Sequence, residues 1–271
     1  MTSAAHHAGR LSCRAVAVVS AVALAITGRA LAGTERAEAP VVSIASPVGE
    51  LSYTPGRGAR LGDTGLTLGG YSNLNVTRNE GGPALLSLDD VSLFVGWDPT
   101  PRFHLFSELE FEDLVEGDDH GRGGTNGWSV TAERLYGDLL VSDSLVFRLG
   151  KFLTPVGRWN VIHAQPLVWT TSRPLATTLP FDPHTTGAML SGTVAGRAGT
   201  VDYTAFGQFT NALDPAPEPQ LQDRAGGARL EYTAPAGWSV GGTYLAFTRS
   251  SVWHHLGGLD TLWRRGRFEV Q

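Results

Sequence analysis

From Thr64 onward the sequence returns again and again to an alternation of apolar and polar residues. The stretch "DVSLFVGW" puts Val91, Leu93, Val95 and Trp97 on one face. The stretch "RFHLFSELEFE" puts Phe103, Leu105, Leu109 and Phe111 on one face and Arg102, His104, Glu108, Glu110 and Glu112 on the other. "TVDYTAFGQF" sets Val201, Tyr203, Ala205 and Phe209 against Asp202, Thr204 and Gln208, and "GARLEY" sets Ala228, Leu230 and Tyr232 against Arg229 and Glu231. A period of two is the mark of a strand, because successive side chains leave a pleated backbone on opposite sides. The chain is therefore predicted to be all-β, with strands that each have one apolar and one polar face.

Two-faced strands suit a soluble sandwich as well as a membrane barrel, so the connections have to separate them. The breaks after Trp97, Val141, Val194, Thr233 and Trp263 are short. Those at Arg78 to Ala84, Asp113 to Gly127, Leu153 to His184, Asn211 to Ala225 and Arg249 to Leu256 are longer. Strict alternation of short and long connections is what an antiparallel up-and-down transmembrane β-barrel needs, with tight turns at one end and long loops at the other. A Greek-key sandwich has no such requirement. Trp97, Trp238 and Trp263 stand beside short turns, as an aromatic girdle at one membrane interface would.

A cation on the lipid face at mid-membrane costs about 2–4 kcal/mol. Arg102, Arg134, Arg148 and Arg229 all fall on polar faces. Glu133 and Lys151 fall on the apolar parity, each near the loop end of its strand, from where a charge reaches the interface.

About eleven strand segments can be counted, the last beginning at "RFEVQ". Bacterial barrels have even strand numbers, and an open edge in lipid leaves backbone groups unpaired at several kcal/mol each. The sequence also lacks the aromatic residue that commonly ends such barrels. It is therefore expected to be a barrel short of one or more C-terminal strands.

Residues 1–32 resemble a secretory signal peptide. His6, His7, Arg10 and Arg14 precede an apolar run from Ala15 to Ile26, followed by the small-residue site Ala30-Leu31-Ala32. Cleavage there removes Cys13, the only cysteine, and with it any disulfide or thiol chemistry. The formal net charge is -5, and losing Arg10, Arg14 and Arg29 makes it more negative, which argues against nucleic acid as a partner. Residues 33–63 are rich in Ala, Pro, Gly and Arg without a sustained period and are expected to form a periplasmic leader. The barrel is expected over 64–271.

In "GKFLTPVGRWN", Gly150 to Asn160, Pro155 has no N–H for a ladder and Gly157 permits positive φ, so a strand ends and the chain swings away. The following loop holds Val161, Ile162, Leu167, Val168, Trp169, Leu175 and Leu179, too apolar for a solvated loop. Loops of more than about 15 residues are usually functional or disordered. The expectation is that this loop folds into the barrel and narrows it, with Arg158, His163, Arg173 and His184 facing the lumen. Packing outside against neighbouring loops or a second subunit is the alternative. The inward Glu108, Glu110 and Glu112 would oppose the basic Arg148, Arg158 and Arg173 across the constriction.

The segment "GKFLTPVGRWNVIHAQPLVWTTSRPL", followed by "HTTGAMLSG", resembles bacterial outer-membrane porins of the phosphate-selective porin O/P group. The resemblance covers about residues 64 to 271. It implies a porin barrel, often trimeric, with an inward loop at the constriction. Phosphate-selective members line the pore with many basic residues, including lysines. Here Lys151 is the only lysine, and glutamates occupy the polar face.

The expected function is passive diffusion of small polar or ionic solutes, anions among them, through the outer membrane of a Gram-negative cell. Lipid and lipopolysaccharide are the surroundings, and neither a cofactor nor a resident metal is expected. A non-conducting receptor or anchor is the other reading. A hydrolase would need Ser172 near His163 or His184, and no motif joins them.

Overall fold

The computed structural model describes residues 14–17, 42–46, 49–55, 57–78, 82–125, 127–162, 181–210, 224–266 and 268–270. Its first strands are β1 (Arg14–Ala17), β2 (Val42–Ser46), β3 (Gly49–Thr54), β4 (Gly58–Leu61), β5 (Leu66–Arg78) and β6 (Ala84–Thr100). There follow β7 (Phe103–Asp118), β8 (Gly123–Gly124), β9 (Ser129–Ser142), β10 (Leu145–Leu153) and β11 (His184–Gly196). The last are β12 (Gly199–Thr210), β13 (Arg224–Thr233), β14 (Trp238–Arg249), β15 (Val252–Arg265) and β16 (Phe268–Val270). All belong to one 16-stranded antiparallel sheet, ordered from β16 back to β2 with each strand beside its neighbour in sequence. The exceptions are β1, which pairs with Leu74–Thr77 of β5, and β8, which pairs with β7. Among the described residues the sheet is open, with β2 and β16 at its ends.

The strands expected from Leu66 onward are all present as the long members of this meander. The sheet also reaches further back than expected, because β2, β3 and β4 lie within the segment assigned to a leader. Each has six residues or fewer, too short to show a sustained period. Among the connections expected to be long, Arg249 to Leu256 is no long loop: β14 and β15 are joined through Ser250 and Ser251, with φ of 50° and 64°. A two-residue hairpin turn with both central residues at positive φ follows the right-handed twist of its strands, and serine is an uncommon occupant. The loop expected from Asp113 is partly strand too, since β7 runs on to Asp118 past a positive φ at Asp113.

The two faces of the sheet are the reverse of a soluble sheet's. On one face Leu93, Leu135, Leu139, Leu149, Leu190, Leu230 and Val240 are exposed, and Leu259 is 87 % exposed. The other face is covered and holds Glu108, Glu110, Arg229 and an aromatic cluster that includes Tyr71, Phe94, Phe106 and Tyr136. These four rings run side by side across β5, β6, β7 and β9, with centroids 5.4–5.9 Å apart. Trp97, Trp238 and Trp263 lie at the short-turn end and are 40–43 % exposed. Trp238 and Trp263 are cross-strand partners. At the same end Trp97 Nε1 donates to Thr64 O at 3.2 Å, Tyr203 Oη to Ser144 O and Tyr232 Oη to Ala198 O, both at 2.6 Å. Trp128 and Trp253 are exposed at the opposite end.

Glycine is required at Gly150. Its φ is +133°, and a Cβ there would lie 2.2 Å from Leu135 O and 2.7 Å from Tyr136 Cα. Gly150→Ala is expected to destabilise the folded sheet by at least about 1–3 kcal/mol, the scale of such backbone strain. The urea midpoint of the detergent-folded protein measures it, and an unchanged midpoint would refute the close approach.

Candidate functional site

Strand β10 stops at Leu153, before Thr154-Pro155, and Gly157 has a φ of +62°, as its position after a proline stop suggested. The described start of the loop, 154–162, then lies across the covered face. Thr154 is fixed by its N–H to Pro183 O and its Oγ1 to Asp182 O, both 2.8 Å. Asn160 Nδ2 donates to Thr154 O at 2.6 Å and Pro183 O at 3.0 Å, closing the base of the loop. Val156 and Phe181 are buried in the aromatic cluster. Gly157 N–H donates to Thr243 Oγ1 on β14 at 3.2 Å. Within a few residues the chain has crossed the covered face from β10 to β13 and β14.

Arg158 anchors this crossing. Its Nη2 donates to Glu231 Oε1 on β13 at 2.6 Å and to Ser239 Oγ on β14 at 2.8 Å, and its Nε lies 3.4 Å from Asp260 Oδ1 on β15. Arg229 completes the group, with Nη2 at 2.7 Å from Glu231 Oε2 and 2.8 Å from Asp260 Oδ1. Two guanidiniums share two carboxylates, so the half-buried network is neutral and each charge is compensated where water is scarce. Arg158 thus faces the β13–β15 wall, where its acidic partners are Glu231 and Asp260.

The glutamate row occupies β7. Glu108 is fully buried and accepts from Arg134 Nε on β9. The Arg134 guanidinium also lies over the Phe106 and Phe94 rings, 4.8 and 5.7 Å from their centroids. Glu110 is buried, and Glu112 accepts from Ser129 Oγ at 2.9 Å. Arg148 is held bidentately by Asp138 at 2.6 and 2.8 Å and lies 3.7 Å from the Tyr136 ring centroid. His163 and Arg173 lie outside the described residues.

The structure adds members that sequence reading missed. Asp90, which accepts from Asn73 Nδ2 at 2.6 Å, is the cross-strand partner of Glu112. Glu133 and Lys151 fall on the apolar parity of the alternation, yet both are buried, Lys151 to 1 % exposure. For Glu133 the reason is a register shift between Glu108 and Leu109, which puts Ala132 opposite Leu109 while Arg134 still faces Glu108. Such a bulge re-aims a side chain without any trace in the alternation itself. Glu133 Oε2 is 2.8 Å from His184 Nε2, at the start of β11 where the loop returns to the sheet. For Lys151 the preceding Gly150, at positive φ, marks the place where regular pleating is interrupted.

Beyond the row, Asp118 accepts from the N–H groups of Arg122 and His120 at 2.8 and 3.0 Å. The Arg122 N–H, with the Arg122 guanidinium, holds the Asp118 carboxyl below its usual range. The chain matches no protein-family model, no curated protein and no solved structure.

Removing the guanidinium in Arg158→Ala deletes charge-assisted hydrogen bonds worth about 1.5–3 kcal/mol each. Amide exchange at Gly157 is expected to speed up by about ten-fold or more, since its bond to Thr243 depends on the same crossing. Unchanged exchange at Gly157 would show that Arg158 does not hold the loop.

Proposed function

We propose that the protein is an outer-membrane porin: a β-barrel, exported by the N-terminal signal segment, through which small polar or ionic solutes diffuse passively. The observation that carries this reading is the sheet's exposed face of leucines and valines, opposite a covered face that holds charged residues beside its aromatic cluster. A face of exposed leucines and valines is costly in water and favourable against lipid. Tryptophans at both ends of that face suit the two interfaces of a bilayer. The long strands from β5 to β15 have nine to seventeen residues. Tilted transmembrane strands need about 9–11. The loop start anchored by Arg158 supplies the narrowing, and the inward charges supply the preference among solutes. Lipid and lipopolysaccharide surround the barrel, and a homotrimer fits the resemblance to porins.

A second reading has its own support. The cluster joining Val156 and Phe181 to Tyr71, Phe106, Phe206 and Phe247 fills much of the covered face with apolar side chains. A barrel packed this way throughout would be a non-conducting receptor or anchor. Single-channel recording in a planar bilayer separates the two. Stable open steps are expected, whereas a folded, heat-modifiable protein that gives none supports the plugged barrel.

Membrane insertion has its own test. Leu259→Arg is expected to lower the stability of the bilayer-folded protein by about 2–4 kcal/mol, the cost of arginine on a lipid-facing position near mid-membrane. A soluble sheet would tolerate arginine at a position so exposed, and a negligible change would count against the membrane reading.

A further inference from the structure

We infer that the exposed face of β13, β14 and β15 holds one phosphorylated lipid, its acyl chain in a groove on that face and its phosphate at the loop end. The site rests on the membrane setting proposed above and singles out one lipid that is bound there. The three strands pair in continuous register, so their exposed-face residues form rows across the sheet. Leu230, Gly242 and Leu259 make one row, and Ala228, Tyr244 and Gly257 make the next toward the loop end.

These two rows line a groove of about 770 Å³. Gly242 and Gly257 bring no side chain to fill it, and a Cβ on Gly257 would meet nothing within 4 Å. Leu230, Leu259 and Tyr244 give it apolar walls. Tyr244 leans to the loop end, where its ring stacks on His255 with centroids 6.0 Å apart and its Oη lies 2.7 Å from His255 Nδ1.

Beyond the groove the same face turns polar. Arg224 and His255 are exposed there beside Trp253. The Arg224 N–H donates to Thr248 Oγ1 at 3.0 Å, which fixes the start of β13 in this row. Ionisable groups on a lipid-facing surface are costly unless something of opposite charge meets them. A phosphate does so, since a guanidinium pairs with its oxygens in bidentate fashion. With Tyr244 Oη donating to Nδ1, the imidazole proton of His255 sits on Nε2, a second donor for the phosphate.

Depth in the bilayer agrees with this division. Trp253 and Trp263 lie on the same face at opposite ends of β15. They are about 34 Å apart along the strand, or about 24 Å across a bilayer at the usual tilt, close to the height of the apolar band of such barrels. Arg224 and His255 are then level with headgroups, and Gly242 and Gly257 with acyl chains. A phosphorylated acyl lipid of the outer leaflet, lipid A in kind, matches both levels at once.

The test is titration of the detergent-folded full chain with bis-phosphorylated lipid A, read by native mass spectrometry, with phosphatidylcholine of matched acyl length as the reference. Wild type is expected to retain lipid A at least about ten-fold more strongly than phosphatidylcholine. Gly257→Leu fills the groove with a side chain suited to lipid, and Arg224→Ala/His255→Ala removes the phosphate partners. Each is expected to weaken lipid A retention by about ten-fold, with heat-modifiable mobility and insertion into phosphatidylcholine bilayers unchanged. Inorganic phosphate is expected not to displace lipid A. Equal retention of the two lipids, or folded variants that hold lipid A as wild type does, overturns the site and leaves the membrane reading standing. A folded chain that inserts into no bilayer overturns the membrane reading itself. A Gly257→Leu variant that changes oligomeric state in the absence of lipid A shows the face to be a contact between copies and overturns the site.

Discussion

The backbone of this protein is paired strand to strand, and that pairing decides what its side chains do. In a meander of antiparallel strands every residue is committed to one of two faces, and a hydrogen-bonded ladder keeps the commitment along its length. Here one face exposes leucines and valines, while the other covers the charged residues together with an aromatic cluster. A soluble sheet with this arrangement would expose its leucines to water while burying glutamates and arginines. An apolar medium outside would make the exposed leucines favourable, and the proposed membrane setting rests on that argument.

Charge burial on the other face is then managed by pairing. Arg134 with Glu108, Arg148 with Asp138, and the Arg158–Arg229–Glu231–Asp260 group each bring opposite charges together on neighbouring strands or across the sheet. Aromatic rings under Arg134 and Arg148 add a second, non-ionic contact to the same guanidiniums. The loop start makes use of both kinds of surface. Val156 enters the aromatic cluster, and two residues later Arg158 enters the ionic one. The covered face is thus part core and part polar wall.

The long strands could be read from sequence because parity survives wherever the ladder is regular. Leu105 and Leu109 against Glu108 and Glu110, or Leu230 against Arg229 and Glu231, needed nothing beyond their order in the chain. The stop at Pro155 and the positive φ at Gly157 were legible for the same reason, since each depends on the chemistry of one residue. What escaped was non-periodic or non-local. The shift beside Glu108 turned Glu133 to the covered face without altering composition. The Ser250–Ser251 turn uses residues that do not advertise positive φ. Strands β2 to β4 are too short to display a period. Glu231 could be recognised as a polar-face residue, but neither it nor Asp260 as a partner of Arg158, because nothing in the sequence states which strands a loop crosses.

That crossing has a consequence for the order of assembly. Strand pairing in this sheet is almost wholly between neighbours in sequence, so hairpins can form one after another at small loop-closure cost. The contacts of Gly157 and Arg158 are different, joining residues 73, 81 and 86 positions apart. They need β13, β14 and β15 already side by side, because Glu231, Ser239, Thr243 and Asp260 come from all three. Docking of Arg158 is therefore a late event that registers completion of the preceding strands. A chain arrested before β15 would keep 154–162 undocked and open to proteases, marking the unfinished sheet for removal.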